Sequence, residues 1–278
     1  MIKMVKLVCI DLDGTLLNQE KKVSSQDKTA IELARKKGIK ITVMTGRSYY
    51  SALPYVKEIG LNIPVVFQNG ALIATPSLSD IFRCLLLPSK VALYAVELSF
   101  KYGLYPIVYE SFFSHKDMFV KGEYCGAFNS YLIFNSQRLN KVDNLFQILK
   151  SRDEIAEIAV IGKEDTAELF LEQLCEQTDE FTSIKNQHID GEVFLEIFSK
   201  GVGKEIALDF LLELFHLNAD EVMYIGDNYN DLGVMQKVGL PVAMSNAPDE
   251  VKKYARFITA SNDESGVSLA IKKFLMEV

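Results

Sequence analysis

The chain is short of basic residues relative to acidic ones, of cysteine, histidine and proline, and of long apolar runs. Each shortage removes a class of protein. Lys and Arg number 30 against 37 Asp and Glu, a formal charge of −7 over 278 residues, which excludes a generally basic nucleic-acid binder. The four cysteines (Cys9, Cys84, Cys125, Cys175) form no C-x-x-C pair, and the three histidines (His115, His188, His216) share no metal-type spacing with them. Neither a disulfide framework nor a zinc site is expected. The first apolar run, Leu7 to Ile10, stops at Asp11, short of the ~7–15 residues of a signal peptide core. No stretch approaches the ~18 apolar residues of a membrane span, so the expectation is a cytoplasmic chain with no membrane and no nucleic-acid partner. Only 7 prolines occur, and there is neither a low-complexity tract nor an internal repeat.

What is present is material for a large core. Hydrophobic residues make up 49% of the chain and charged residues 24%, a composition that excludes wholesale disorder. At ~100–200 residues per domain the length accommodates two. Several apolar runs have no polar face and end at once in Gly, Asp, Asn or Thr: Leu7 to Ile10 before Asp11, Ile41 to Met44 before Thr45-Gly46-Arg47, and Val65 to Phe67 before Gln68-Asn69-Gly70. Val222 to Ile225 before Gly226-Asp227, and Val242 to Met244 before Ser245-Asn246, repeat the pattern. Runs of this kind read as buried parallel strands. Between them Ser25 to Lys37, with Ala30, Leu33 and Ala34 on one face and Gly38 beyond its end, reads as a helix. So does Gly203 to Phe215, with Ile206, Leu208, Leu211, Leu212 and Phe215 as its apolar face. The fold class that follows is α/β, a doubly wound parallel sheet. In such sheets ligands bind beyond the carboxyl ends of the strands, which places Asp11, Thr45, Asn69 and Asp227 near one crevice. The stretch 84–192 breaks the pattern and reads as an inserted, smaller α/β domain between core segments 1–83 and 193–278. Its aromatics, Tyr109, Phe112, Phe113, Tyr124 and Phe128, are expected in packing rather than on substrate.

The most informative segment is Asp11-Leu12-Asp13-Gly14-Thr15. Residues two apart on an extended strand end face the same side, and two carboxylates that close require a cation or a shared proton. A hard, oxygen-seeking ion such as Mg²⁺ suits them. Taken alone the pentapeptide is equally a capped turn. It is not an EF-hand, because its glycine stands at the fourth position and Lys22 at the twelfth. Gly226-Asp227-Asn228-Tyr229-Asn230-Asp231 is an Asx-rich turn by itself, yet it can carry Asp227 to the same crevice. Thr45-Gly46-Arg47 offers a hydroxyl and backbone N–H groups to an anion at a helix start. Lys204, in K-G-V-G-K, fits neither nucleotide-binding glycine motif. Four aspartates (11, 13, 227, 231) against Lys204 would repel a phosphate dianion unless a cation joined them.

Taken in this order, D-x-D-G-T, T-G-R, Lys and G-D-x-x-N-D resemble the motif set of the haloacid dehalogenase (HAD) superfamily of aspartate-nucleophile phosphotransferases. Asn69-Gly70-Ala71, Ala243 to Ala247 and Val251-Lys252 through Thr259 to Gly266 are similar to the Cof-type phosphatases, which carry a large α/β cap. Ser245 departs from the glycine usual there. The resemblance implies a Rossmann-like HAD core, with Asp11 as nucleophile and Asp13 as general acid/base. It implies Mg²⁺ held by Asp11, the Asp13 backbone carbonyl and Asp227 with Asp231 in support, and a phosphoryl group held by Leu12, Thr45, Gly46, Lys204 and Asn230. The expected activity is hydrolysis of a small phosphorylated metabolite through an aspartyl-phosphate. A phosphomutase and a phosphometabolite sensor are the alternatives, and Arg47 carries no assigned role.

Overall fold

Leu7, Val8, Cys9 and Ile10 are all inaccessible to solvent, as a strand covered on both faces must be. The computed structural model describes residues 4–276. It divides into one unit made of the segments up to Arg83 and from Gly203 onward, and a second unit, Cys84–Val202.

In the first unit Leu7–Ile10 lies within a five-stranded sheet of order Phe257–Ile258, Leu240–Ala243, Val222–Gly226, Leu7–Ile10, Lys40–Val43, parallel throughout. Ile10 pairs with Ile225 on one side and Val43 on the other, so Asp11, Gly226 and Met44 leave the sheet at one level. The strand order reverses about Leu7–Ile10, the switch point at which such sheets open a crevice. Asp11 N–H still donates to Ile225 (3.0 Å) and Met44 N–H to Ile10 (3.0 Å). Past them Met44 bridges to Val66, bringing in Val65–Phe67, which turns back antiparallel onto Leu72–Ala74.

Helix Ser25–Lys36 begins at Ser24, whose hydroxyl accepts from the Asp27 N–H at 3.0 Å, an N-cap. Its buried stripe is Asp27, Ala30, Ile31 and Ala34, an i, i+3, i+4, i+7 face; Leu33, expected inside, is 42% exposed because it falls off that stripe. Helix Lys204–Phe215 buries Lys204, Ala207, Leu208 and Leu211, again i, i+3, i+4, i+7. Ile206 is rotated out to 37% exposure, which corrects the expected face and puts a lysine on it instead. Ala207, Leu208 and Leu211 pack with Leu7, Cys9, Met44, Val66, Val222 and Tyr224 in one core.

The second unit is built on a six-stranded sheet of order Phe181–Ile189, Glu192–Ser199, Glu157–Lys163, Tyr105–Tyr109, Met118–Val120, Leu139–Lys141. It is antiparallel apart from its last, parallel pair. Val108, Ile158, Val160, Leu195 and Ile197 face helices Ser89–Lys101, Leu145–Lys150 and Glu164–Gln177 across a second core. The other face carries Glu157, Glu196, Tyr109 and Phe194, all buried, with the Tyr109 and Tyr131 hydroxyls hydrogen-bonded at 2.6 Å. Glu192–Ser199 is paired on both sides within this sheet, so the chain returns to the first unit at Gly203 and not at residue 193 as expected. Tyr109, Phe112 and Phe128 are packed, whereas Phe113 is 38% exposed and Tyr124 gives its hydroxyl to Glu192.

Candidate active site

The turn of helix Lys204–Phe215 that follows Gly203 aims a lysine inward. Lys204 is 1% exposed, and its Nζ donates to Asp11 Oδ1 at 2.6 Å and to Asp231 Oδ1 at 2.7 Å. Asp231 is fully buried and satisfied on both oxygens. Oδ1 also accepts from the Tyr224 hydroxyl at 2.5 Å, and Oδ2 accepts the N–H groups of Asp227 (2.9 Å) and Asn228 (3.0 Å). Asp231 thus ties the turn after Val222–Gly226 to Lys204 and, through it, to Asp11. Burial, opposed by Lys204 and reinforced by Asp231 and Asp227, pushes the Asp11 carboxyl well above the usual carboxylate range. Burial alone would lower Lys204, but the two carboxylates overcome it and keep the ammonium charged.

Asp227 stands beside this pair. Its Oδ1 accepts from the Thr15 hydroxyl at 2.8 Å, and one oxygen each of Asp11, Asp227 and Asp231 lie within 4.8 Å of one another. Burial first, then the Asp231 charge, lifts the Asp227 carboxyl to about 7. Gly14 makes the approach possible: its φ is +77°, and a Cβ there would lie 2.1 Å from Asp227 Oδ2, so no other residue suits the position. A donor set of carboxylate oxygens alone, with neither His nor Cys, matches a hard divalent cation. The residues fit the ion the sequence implied.

Asp13 takes a different direction. Its carboxylate lies against Arg47, with Nε on Oδ2 at 2.5 Å and Nη2 on Oδ1 at 2.7 Å, and Lys21 Nζ reaches Oδ1 at 2.7 Å. Burial raises this carboxyl, but the bonds and charges of Arg47 and Lys21 outweigh it and hold it at about 2. The Asp13 side chain is therefore outside the acidic cluster, whose third carboxylate is Asp231; any metal role of Asp13 falls to its backbone carbonyl. Arg47 and Lys21 also change the charge count. With Lys204 they set three cations against four aspartates, leaving −1 before any metal.

Thr45 is buried, its hydroxyl accepting the Arg47 N–H at 3.0 Å and its carbonyl the Asn69 N–H at 2.9 Å. A Cβ on Gly46 would lie 3.3 Å from the Asn69 amide, and Asn69 Oδ1 accepts from Asn230 at 3.0 Å. Gln68 and Asn69 reach this position with φ of 44° and 53°, a strained turn of the kind that collects at functional sites. Thr45, Gly46, Asn69 and Asn230 thus form one connected rim. Leu12 is buried, its carbonyl accepting from Thr15 (3.3 Å) and Leu17 (2.8 Å), which closes the loop around Gly14.

A family model described as haloacid dehalogenase-like hydrolase matches residues 8–271, spanning every residue of this constellation. The chain belongs to that family. Among its relatives, the 5-amino-6-(5-phospho-D-ribitylamino)uracil phosphatase YwtE of Bacillus subtilis (strain 168) is 29% identical over 286 residues, 98% of each chain. A haloacid dehalogenase-like hydrolase from Bacteroides thetaiotaomicron superposes with a TM-score of 0.81 at 25% identity, covering 98% of this chain and 100% of that one. TM0651 from Thermotoga maritima gives 0.77 at 27% identity, with 97% of each chain covered. The protein is an enzyme, a HAD-type phosphatase of the Cof group. No helix among its described residues is long and apolar enough to cross a membrane. Three members of this phosphatase's site escaped sequence reasoning. Tyr224 counted only as a strand residue, Lys21 sits in a plain polar turn, and Thr15 was visible in D-G-T without a partner to explain it.

Proposed function

We propose that this phosphatase hydrolyses small phosphate monoesters, of sugars or of ribityl-type metabolites, through a phosphorylated Asp11, with Mg²⁺ as its cation. The observation that carries the reading is the Asp11–Lys204–Asp231 network beside Asp227: a buried carboxylate bound to a buried ammonium, with three aspartate carboxylates clustered at one strand end. The substrate class follows the activity named for YwtE.

In this reading the burial and neighbouring charge that raise Asp11 are offset once a cation joins the cluster, so that its ionised carboxylate oxygen attacks phosphorus and the ester P–O bond breaks. Asp13, ionised while Arg47 and Lys21 hold it, must first take up a proton, which it then gives to the leaving alkoxide oxygen. Water then attacks the acyl phosphate, Asp13 takes the water proton, and Asp11 is regenerated as inorganic phosphate leaves. Lys204 holds Asp11 Oδ1 throughout and offers positive charge to the phosphoryl oxygens, as Thr45, the Gly46 N–H, the Leu12 N–H and Asn230 offer hydrogen bonds. Mg²⁺, held by the Asp11 carboxylate, the Asp13 carbonyl and Asp227 with Asp231 behind them, would supply neutralisation of the charge gathered around phosphorus.

The test is phosphate release from a panel of sugar, polyol and nucleoside monophosphates, with Mg²⁺ and with chelator, for the native chain and Asp11→Asn. Metal-dependent release abolished by Asp11→Asn is expected. Release that persists in the variant overturns the nucleophile, and phosphoryl transfer to a second sugar hydroxyl without release marks a mutase.

A further inference from the structure

We infer that Arg47 is the positioning residue of Asp13, the group that holds this carboxylate in its working direction, and that it is not a ligand of the substrate phosphate. The inference rests on the reading of Asp13 as the proton-transferring carboxylate.

Asp13 lies just past a strand end, with its side chain 40% exposed, so neighbouring packing does not fix its rotamer. Arg47 does. Both carboxylate oxygens are gripped by the Nε/Nη2 edge of the guanidinium, the planar two-bond pairing that fixes orientation as well as distance. Lys21 adds a single bond from a side chain that is 49% exposed, a point contact with little angular preference.

Arg47 is itself immobilised. Its side chain is 12% exposed, its guanidinium lies 5.1 Å from the centroid of the Tyr55 ring, and Nη1 reaches Ser51 Oγ at 3.4 Å. Ser51 and Tyr55 stand four and eight residues on, one and two turns along the same face of helix Tyr49–Glu58. The Arg47 backbone is pinned as well, its N–H to Thr45 Oγ1 and its carbonyl accepting from Gln68 N–H at 2.9 Å. The edge that would chelate a phosphate is occupied by Asp13, and Nη1 faces Ser51. One face of helix Tyr49–Glu58 therefore transmits a fixed direction, through Tyr55 and Arg47, to a partly exposed carboxylate.

Positioning a proton donor has a kinetic signature that phosphate binding lacks. An alkoxide leaving group needs the proton, whereas p-nitrophenolate departs without it. Steady-state kcat/KM with Mg²⁺ would be measured on an alkyl monoester such as glycerol 3-phosphate and on p-nitrophenyl phosphate, for Arg47→Ala, Arg47→Lys, Tyr55→Leu and Asp13→Ala. The expected result is a ~100-fold loss on the alkyl ester in Arg47→Ala, the scale of a misplaced catalytic group, carried by kcat, with less than ~5-fold on the aryl ester. Tyr55→Leu should show the same selectivity to a smaller degree, and Arg47→Lys should restore only part of the activity because it lacks the fork. In an Asp13→Ala background, Arg47→Ala should add no further selectivity. Equal losses on both esters, carried by KM, would make Arg47 a phosphate ligand and overturn the inference, as would unchanged kinetics. If Arg47→Ala does not fold, Arg47→Lys and Tyr55→Leu decide by the same criterion. If Asp13→Ala itself hydrolyses the alkyl ester normally, the reading of Asp13 fails, an outcome distinct from failure of Arg47 alone.

Discussion

Replacing Lys204 by Met tests the buried network most directly. Methionine keeps an unbranched apolar stem of similar length on the stripe with Ala207, Leu208 and Leu211, so packing is retained while the charge is removed. Two carboxylates lose their ammonium: Asp11, 6% exposed, and Asp231, fully buried. Asp231 keeps the Tyr224 hydroxyl and two backbone N–H groups, which limits the damage there; Asp11 loses its bond to a cation. Removing one partner of a buried ion pair costs about 3–5 kcal/mol, a large share of the ~5–15 kcal/mol of a typical domain. Urea unfolding in chelator should therefore shift strongly to lower midpoint. Added Mg²⁺ should recover part of the loss, because binding to the folded acidic cluster alone stabilises it by mass action. Phosphate release should fall about 10²–10³-fold, the scale of one lost transition-state donor. As a control, Lys237→Met removes an exposed pair with Asp209 and should change neither readout appreciably. A Lys204→Met midpoint within error of the native one would refute the claim that this ammonium holds the carboxylates together.

Gly14→Ala combines a positive φ with a Cβ inside the Asp227 carboxylate; it should displace Asp227 and abolish Mg²⁺-dependent phosphate release, checked by metal titration, while Gly122→Ala, with the same sign of φ but nothing within 4 Å, should leave release intact. Asp227→Asn removes one carboxylate from the cluster and should raise the Mg²⁺ concentration needed for half-maximal activity by at least ~10-fold, measured as phosphate release against metal. Glu196 in the second unit is lifted by burial, against its bond from Asn186, to about 8. Between about pH 4.5 and 8 folded chains therefore hold a proton that unfolded chains have already released, and the stability contributed by the protonated form declines as pH rises through that window. Glu196→Gln should flatten this slope, read from urea midpoints at pH 5.5, 7 and 8.5; an unchanged slope would mean that Glu196 is ionised in the folded unit at neutral pH.

Much of this was legible in the residues themselves. The apolar runs ending in Asp, Thr, Asn and Gly named the parallel strands and the edge at which chemistry gathers, because a strand buried on both faces leaves no other sequence pattern. Asp11, Asp13, Lys204 and Asp227 could be singled out because motif order and spacing are properties of the chain. The helical stripe at Lys204 was legible only in part. Counting apolar residues favoured Ile206, whereas the true stripe runs 204, 207, 208, 211, since a lysine is admitted to a core wherever two carboxylates wait for it. The return point of the inserted unit was misjudged because a strand's sequence says that it will be paired without saying in which sheet.

The sequence by itself determined the α/β class, the inserted unit and the identities of the charged groups, all of which follow from local periodicity and motif spacing. Only the tertiary structure decided which charge answers which. Asp231 rather than the Asp13 side chain completes the acidic cluster, Tyr224 and Thr15 support it, and Arg47 with Lys21 takes Asp13. Those pairings join residues as far apart as Thr15 and Asp227, and electrostatic partnership depends on distance and burial in three dimensions, neither of which is written in the spacing along the chain.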